Sequence, residues 1–223
     1  MGSPQVTPIT ENWHAGGFVV SEARGHLSRD QVTIASGAAH LAGEVLGKIS
    51  IGTIGTVTAG SNTGNGTSSA ATATATTQVG TYTFKAIAAT VFEVIDPKGR
   101  QLPDLNTGVA YTQDLNVTIT AGNTPFAAGD TFTCAVAAGS SKYGLYDPTL
   151  VNGQQIASAI LLFPVDATNA DRVASAIVRT AEVNESELVW GANVTTHTHV
   201  TNALAALASQ QVIARPGTIP SGP

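Results

Sequence analysis

The sequence predicts a mainly β fold with a short C-terminal helix, in which a small β-rich core is interrupted by an inserted β-sandwich or barrel-like domain. Three observations predict it. Two apolar runs, residues 156–165 and 173–178, flank a polar elbow at 166–171. Short Ile/Val/Ala-rich runs split by an Asp/Asn/Thr turn read as buried strands, and Pro164 would break a helix there. Upstream, Tyr82, Phe84 and Ala86 alternate with Thr81, Thr83 and Lys85, and the same two-residue period returns in Leu115, Val117, Ile119 and in Phe132, Cys134, Val136. That period belongs to strands with one buried face. Near the C-terminus, Leu204, Leu207 and Ala208 fall on one side of a helix that Thr201 or Asn202 can cap, before Val212 and Ile213 resume a strand.

Taken in order, residues 1–16 hold Pro4 and Pro8, small polar residues and no hydrophobic period. Such a segment cannot bury enough apolar area to offset the entropy of ordering, so it is expected to be a flexible arm. Fifteen extended residues reach about 50 Å, and an extended arm can add as a strand to another surface. Residues 17–21 and 31–35 are β-prone runs joined through Gly25, and residues 41–49 read as a turn feeding a further strand.

From Gly52 to Gln78 the chain turns to Gly, Ser, Thr, Ala and Asn, and its middle reads as a flexible linker or long loop. Strands follow at 82–86, 91–96, 115–119 and 132–136, with a turn at Pro97-Lys98-Gly99-Arg100. Residues 52–143 thus read as a β domain inserted into a core made of 17–51 and 144–215, with 216–223 a Pro/Gly tail. An insertion is tolerated where both ends emerge together, so the return of the chain should lie near Ile51.

Charged residues make up 11% of the 223 and the formal net charge is −5, against about 25% charged in ordinary soluble domains. A surface so poor in charge suits a protein that sits against other protein, and equally a Thr-rich β protein of any function. Without a Lys/Arg cluster nothing would neutralise a row of phosphates, so nucleic acid is not an expected direct partner. The single Cys134 excludes an internal disulfide framework, and its place in the Phe132, Cys134, Val136 alternation points it into a core. There is no long apolar segment to span a bilayer and no signal-peptide layout at the N-terminus, so the protein is expected to be made in the cytoplasm without a membrane partner.

Candidate chemistry is sparse. His197 and His199 would share a face on a strand and could then hold a metal, but would point apart on a helix, and no carboxylate lies nearby in sequence. His14, His26 and His40 stand alone in polar surroundings. Glu93 with Asp96, or Glu182, Glu185 and Glu187, could pair as acid and base, yet carboxylates beside turns and strand ends are usually solvated. No nucleophile elbow, P-loop or dinucleotide fingerprint occurs, so no catalytic residue, metal or cofactor is expected. Trp13 and Trp190 suit either an interface anchor or ordinary packing.

The order AILLFPVDAT, VASAIVR, AEVNESELVW resembles the head decoration proteins of lambda-type tailed phages. So do ENWHAGGFVVSEARGHLSRDQVTIASG with HLAGEVLGKIS upstream and NALAALASQQVIAR downstream, together covering roughly 7–51 and 144–215. The resemblance implies a structural virion protein, not an enzyme. It would be a homotrimer on the outside of an expanded capsid, clamping major capsid subunits against internal DNA pressure. It further implies that the arm residues Thr7, Pro8, Ile9, Thr10, Glu11, Asn12 and Trp13 dock on that lattice. A β-sandwich adhesin or carbohydrate-binding module is the alternative, and the inserted domain could make weak glycan or cell-surface contact. A hydrolase using His197 and His199 is a third class.

Overall fold

The computed structural model describes residues 15–216. Chain contacts divide it into two units, one of residues 1–46 and 157–223, the other Gly47–Ile156.

In the first unit the two apolar runs form the expected neighbouring strands, Ala157–Leu161 and Arg172–Ile177, paired antiparallel with Ile160 opposite Ile177. Arg172–Ile177 also pairs along its whole length with Arg29–Ile34. The first run is shorter than its composition suggests, because Ile156 and Phe163 face outward and only Ala157 and Ala159–Leu162 are fully buried between them. Val19–Glu22 and Ala181–Asn184 pair antiparallel, and Val212–Arg215 joins the latter in parallel to complete a three-stranded sheet. The N-terminal strands are therefore shifted by a residue or two from the runs predicted at 17–21 and 31–35.

The helix spans His197–Ser209 and begins before the caps predicted for it. Thr196, extended at φ −127°, accepts the His199 N–H through its Oγ1 at 3.3 Å, so Thr201 and Asn202 lie inside the helix. The buried residues are Ala203 and Leu207, while Ala208 is exposed and does not share the apolar side. The cap thus lies five or six residues before the expected one, and 203 and 207, one helical turn apart, are the positions that face the sheet.

In the second unit six strands form one sheet. Its order runs Gln101–Asn106, Val91–Ile95, Gly80–Ala88, Thr131–Ala138, Ile51–Ile54, with Thr58–Ala59 also on the Thr131–Ala138 strand. Smaller sheets join Tyr111–Thr112, Leu115–Val117 and Thr72–Ala73, and Ile119–Thr120 with Thr67–Ser68. The predicted alternation decides the packing: Tyr82, Phe84, Phe132 and Cys134 from the large sheet and Leu115, Val117 and Ile119 from the smaller ones enter one apolar cluster, the interior of a sandwich. Phe92, Phe126 and Phe132 meet edge-on or tilted at centroid distances of 5.0 to 5.9 Å. Burying each such ring contributes about 1.5–3 kcal/mol before edge-to-face terms.

The middle of residues 52–78, expected as a flexible linker or long loop, instead supplies the short strands Thr58–Ala59, Thr67–Ser68 and Thr72–Ala73. Their small residues serve close approach: a Cβ on Gly64 or Gly66 would run into Phe126. Polar side chains elsewhere hold the turns. Asp130 Oδ1 and Oδ2 accept the N–H groups of Thr63 and Gly64 at 2.8 and 2.9 Å, and Asn62 exchanges two bonds with the Thr131 backbone. The two ends of the expected insert lie side by side. Ile49 donates to Lys142 at 2.8 Å and Gly139 to Ser50 at 2.9 Å, and Ala138 pairs with Ile51. Asn152 also accepts from Ser50 and Ile51, and the residues flanking the expected insert, 47–51 and 144–156, belong to the second unit.

Candidate functional site

The predicted lattice-contact residues Thr7, Pro8, Ile9, Thr10, Glu11, Asn12 and Trp13 lie outside the described residues, as does His14. What is described is the ground they leave from. Gly16 takes φ +76° and its carbonyl accepts the Val19 N–H at 3.1 Å, forming a turn. Phe18 is buried, and its carbonyl accepts the Asn184 N–H at 2.7 Å. The chain is therefore fixed to the three-stranded sheet from Phe18 onward, at a strand that forms one edge of it. Its exposed Val20 points away from the core.

The two candidate metal ligands sit in the first turn of the helix, two residues apart, and so on different faces. His199 is committed to the helix start, its Nδ1 accepting the Thr195 N–H at 3.3 Å. Among the described residues no cluster of three or more His, Cys, Asp or Glu side chains is arranged to hold a metal ion. Nor is any helix among them long and apolar enough to cross a membrane.

His40 departs from the expectation of a histidine in polar surroundings. It is buried beside an equally buried Glu44, Nδ1 lying 2.6 Å from Oε2. Residue spacing of four is not helical here, since His40 closes the short strand Ala39–His40 and Glu44 follows a turn through Gly43 at φ +83°. A Cβ at Gly43 would press on the Glu187 carbonyl at 2.9 Å. The turn thus folds the carboxylate back onto the imidazole, which satisfies both buried groups.

The imagined acid/base pairs do not form. Glu93 lies opposite Lys85 across the sheet. Glu182 accepts from the Arg215 guanidinium and from Ser21 Oγ, contacts that hold its carboxyl below the usual carboxylate range. Glu187 accepts from Asn184 Nδ2 at 3.0 Å, and Glu185 opens the same short 3-10 turn.

Asp96 is a correction of another kind, being buried and not solvated. Burial alone would raise its carboxyl. The backbone N–H groups of Arg100 and Lys98, at 2.8 and 2.9 Å, and the Arg100 Nε at 3.1 Å outweigh it and hold the group low. Sequence reasoning found this turn but not its neighbour. Asp114, 18 residues further along, comes to the same place through the smaller sheet, and nothing in its TQDLN context marks it. Thr76, Gln78, Asp96, Lys98, Arg100 and Asp114 together line an open cleft of about 630 Å³. Gln78 Nε2 reaches both carboxylates, 3.3 Å to Asp96 and 3.4 Å to Asp114, and Tyr82 donates its hydroxyl to Asp114 at 3.4 Å.

Compared with known proteins, the chain matches the family model of the bacteriophage lambda head decoration protein D over residues 8–93 and 105–212, a match that runs through both units. No curated protein matches it. Two solved structures of FlgL from Xanthomonas campestris, in crystal forms C2 and H3, align at 21% and 18% identity and TM-score 0.31. The alignments cover 49% and 48% of this chain and 33% and 34% of those, so the chain spans about a third of their length. A similarity that low carries no conclusion about fold.

Proposed function

Because this chain belongs to the family of bacteriophage lambda head decoration protein D, a structural family of the phage capsid, we propose that it binds the outer surface of an expanded head as a homotrimer. There it would hold neighbouring major capsid subunits against internal DNA pressure. The observation that carries the reading is the family match, which takes in the arm from Pro8 onward as well as the folded core.

The mechanism is thermodynamic. A protein that binds only the assembled, expanded lattice stabilises that lattice by its binding free energy. Three arms on one trimer act at high effective concentration, so each weak contact is reinforced by the others. In this proposal Thr7, Pro8, Ile9, Thr10, Glu11, Asn12 and Trp13 make the lattice contact. Sheet pairing of the folded chain begins beside these residues, at Phe18, whose carbonyl accepts the Asn184 N–H. The protein would be made in the host bacterial cytoplasm and act without cofactor or catalysis.

Co-sedimentation with expanded, undecorated heads tests the proposal, with a variant lacking residues 1–15 alongside. Saturable binding weakened by the truncation is the expected result. Binding indifferent to it would move the contact into the folded core, and absence of binding would overturn the reading.

A further inference from the structure

The family match leaves open which surfaces of two copies of this chain meet. In the first unit four large apolar side chains left exposed, Leu27, Leu41, Phe163 and Val173, lie at the two ends of one strand pair. Arg29–Ile34 and Arg172–Ile177 run antiparallel over six pairs, with Arg172 opposite Ile34 at one end and Ile177 opposite Arg29 at the other. The ends are therefore about 17 Å apart along the strands.

At the first end Val173 is 65% exposed. His40 pairs with Val165, which sets Leu41, 57% exposed, beside Pro164. Leu162 donates to the Ser175 carbonyl at 3.0 Å and brings Phe163, 46% exposed, to the same place. Arg172 Nε donates to the Asp166 carbonyl at 3.3 Å and ties these residues to the strand pair. The charges beside this apolar ledge are the exposed Asp166 and Asp171 against Arg172, a negative excess.

The second end carries the opposite sign. Leu27 is 56% exposed, and its carbonyl accepts from Arg179 Nη1 at 2.9 Å. Glu22 is taken by Arg29 and Asp30 by Arg179, which leaves the exposed Arg24 with no ion pair among the described residues. In a chain of net charge −5 this end is thus locally positive.

Two apolar ends of opposite charge fit each other and not themselves. A symmetric contact of like ends would set arginine against arginine or aspartate against aspartate, whereas a head-to-tail contact pairs them. Single exposed apolar residues call for no explanation, but an apolar ledge beside an acidic excess, matched by a leucine beside an unpaired arginine, is complementary to a second copy. Resting on the homotrimer of the proposed function, we propose that Arg24 and Leu27 of each copy pack against Leu41, Phe163, Asp166 and Val173 of the next, and that three such contacts close the ring.

The test is crosslinking of the full chain on expanded heads. A chain carrying both Leu27→Cys and Val173→Cys is loaded, sedimented with the heads and treated with a short bis-maleimide; both sites are exposed, and Cys134 is buried, so the unsubstituted chain is the blank. A covalent trimer is expected from the double variant and no product from either single one. Adding Arg24→Glu should lower the yield several-fold, and adding Asp166→Lys to that chain should restore it, a recovery that general damage to the fold cannot give. Products from a single-cysteine chain, links to the major capsid protein in place of a second copy, or a yield indifferent to the charge changes would overturn the proposal. Heads that bind the protein yet yield no link would sink this interface and leave the decoration reading standing. If the protein binds no heads, that reading falls, and the same crosslinking of concentrated free protein decides the interface by itself.

Discussion

Asp130 and Gly64 are 66 residues apart in sequence, yet the Asp130 Oδ2 accepts the Gly64 N–H at 2.9 Å, while Oδ1 takes the neighbouring Thr63. With Ala127 N–H as a third donor at 3.0 Å, this one buried carboxylate organises a stretch whose composition is that of a linker.

The bonds from Gly64, Thr63 and Ala127 hold the Asp130 carboxyl below its ordinary value of 3.8. A carboxyl whose folded pKa is depressed contributes stability that is complete above the ordinary value and is lost as pH falls through the folded one. Stability should therefore decline on acidification below about pH 4, and Asp130→Asn should flatten that part of the profile. Asp130→Ala, which leaves three donors unpaired, should lower the melting temperature by several degrees at neutral pH. Denaturation followed from pH 7 to pH 3 checks both.

Phe92 is fully buried and touches Phe126 and Phe132. Phe92→Ala is expected to cost about 3–5 kcal/mol, the range for emptying an aromatic site in a packed core. Urea titration of the variant reads the loss directly.

At the His40 and Glu44 pair, Glu44→Ala should destabilise by about 1–3 kcal/mol, because it strands a buried imidazole nitrogen. Glu44→Gln keeps an acceptor in place and should cost less. Equal losses in the two variants, measured by chemical denaturation, would show that packing and not the hydrogen bond matters there.

Gln211 follows the helix cap Gln210 and adopts φ +64°, a left-handed conformation. Glycine is the residue suited to that place. Gln211→Gly should stabilise by roughly 0.5–1 kcal/mol, less than the full left-handed penalty because glycine also frees the unfolded chain. The midpoint of urea unfolding should rise with an unchanged slope.

Since Gly139 donates to Ser50, residues 51–138 can be replaced by a two-residue Asn-Gly turn between them. The shortened protein is expected to fold, by far-UV circular dichroism, and still to sediment with expanded heads. Loss of folding would show the excised strands to be integral to the chain.

The sequence by itself determined the β class, the strands around Phe84, Val117, Cys134 and Ile160, and the C-terminal helix. Side-chain period and turn residues are local properties, and burial follows them without knowledge of the partners. The family was equally legible, because it rests on the order of short apolar elements. Tertiary structure alone decided the rest. Whether Thr67 and Ser68 belong to a strand depends on Asp130, Phe126 and Ile119 arriving from elsewhere, not on their own propensity. The helix start passed to Thr196 because the helix runs a full turn further toward the N-terminus than its apolar positions mark. The meeting of Asp114 with Asp96 and Gln78 depends on how two small sheets register against a large one. Such long-range juxtapositions leave no period in the chain, and hydrogen-bond donors and acceptors separated by dozens of residues are matched only when the strands between them have packed.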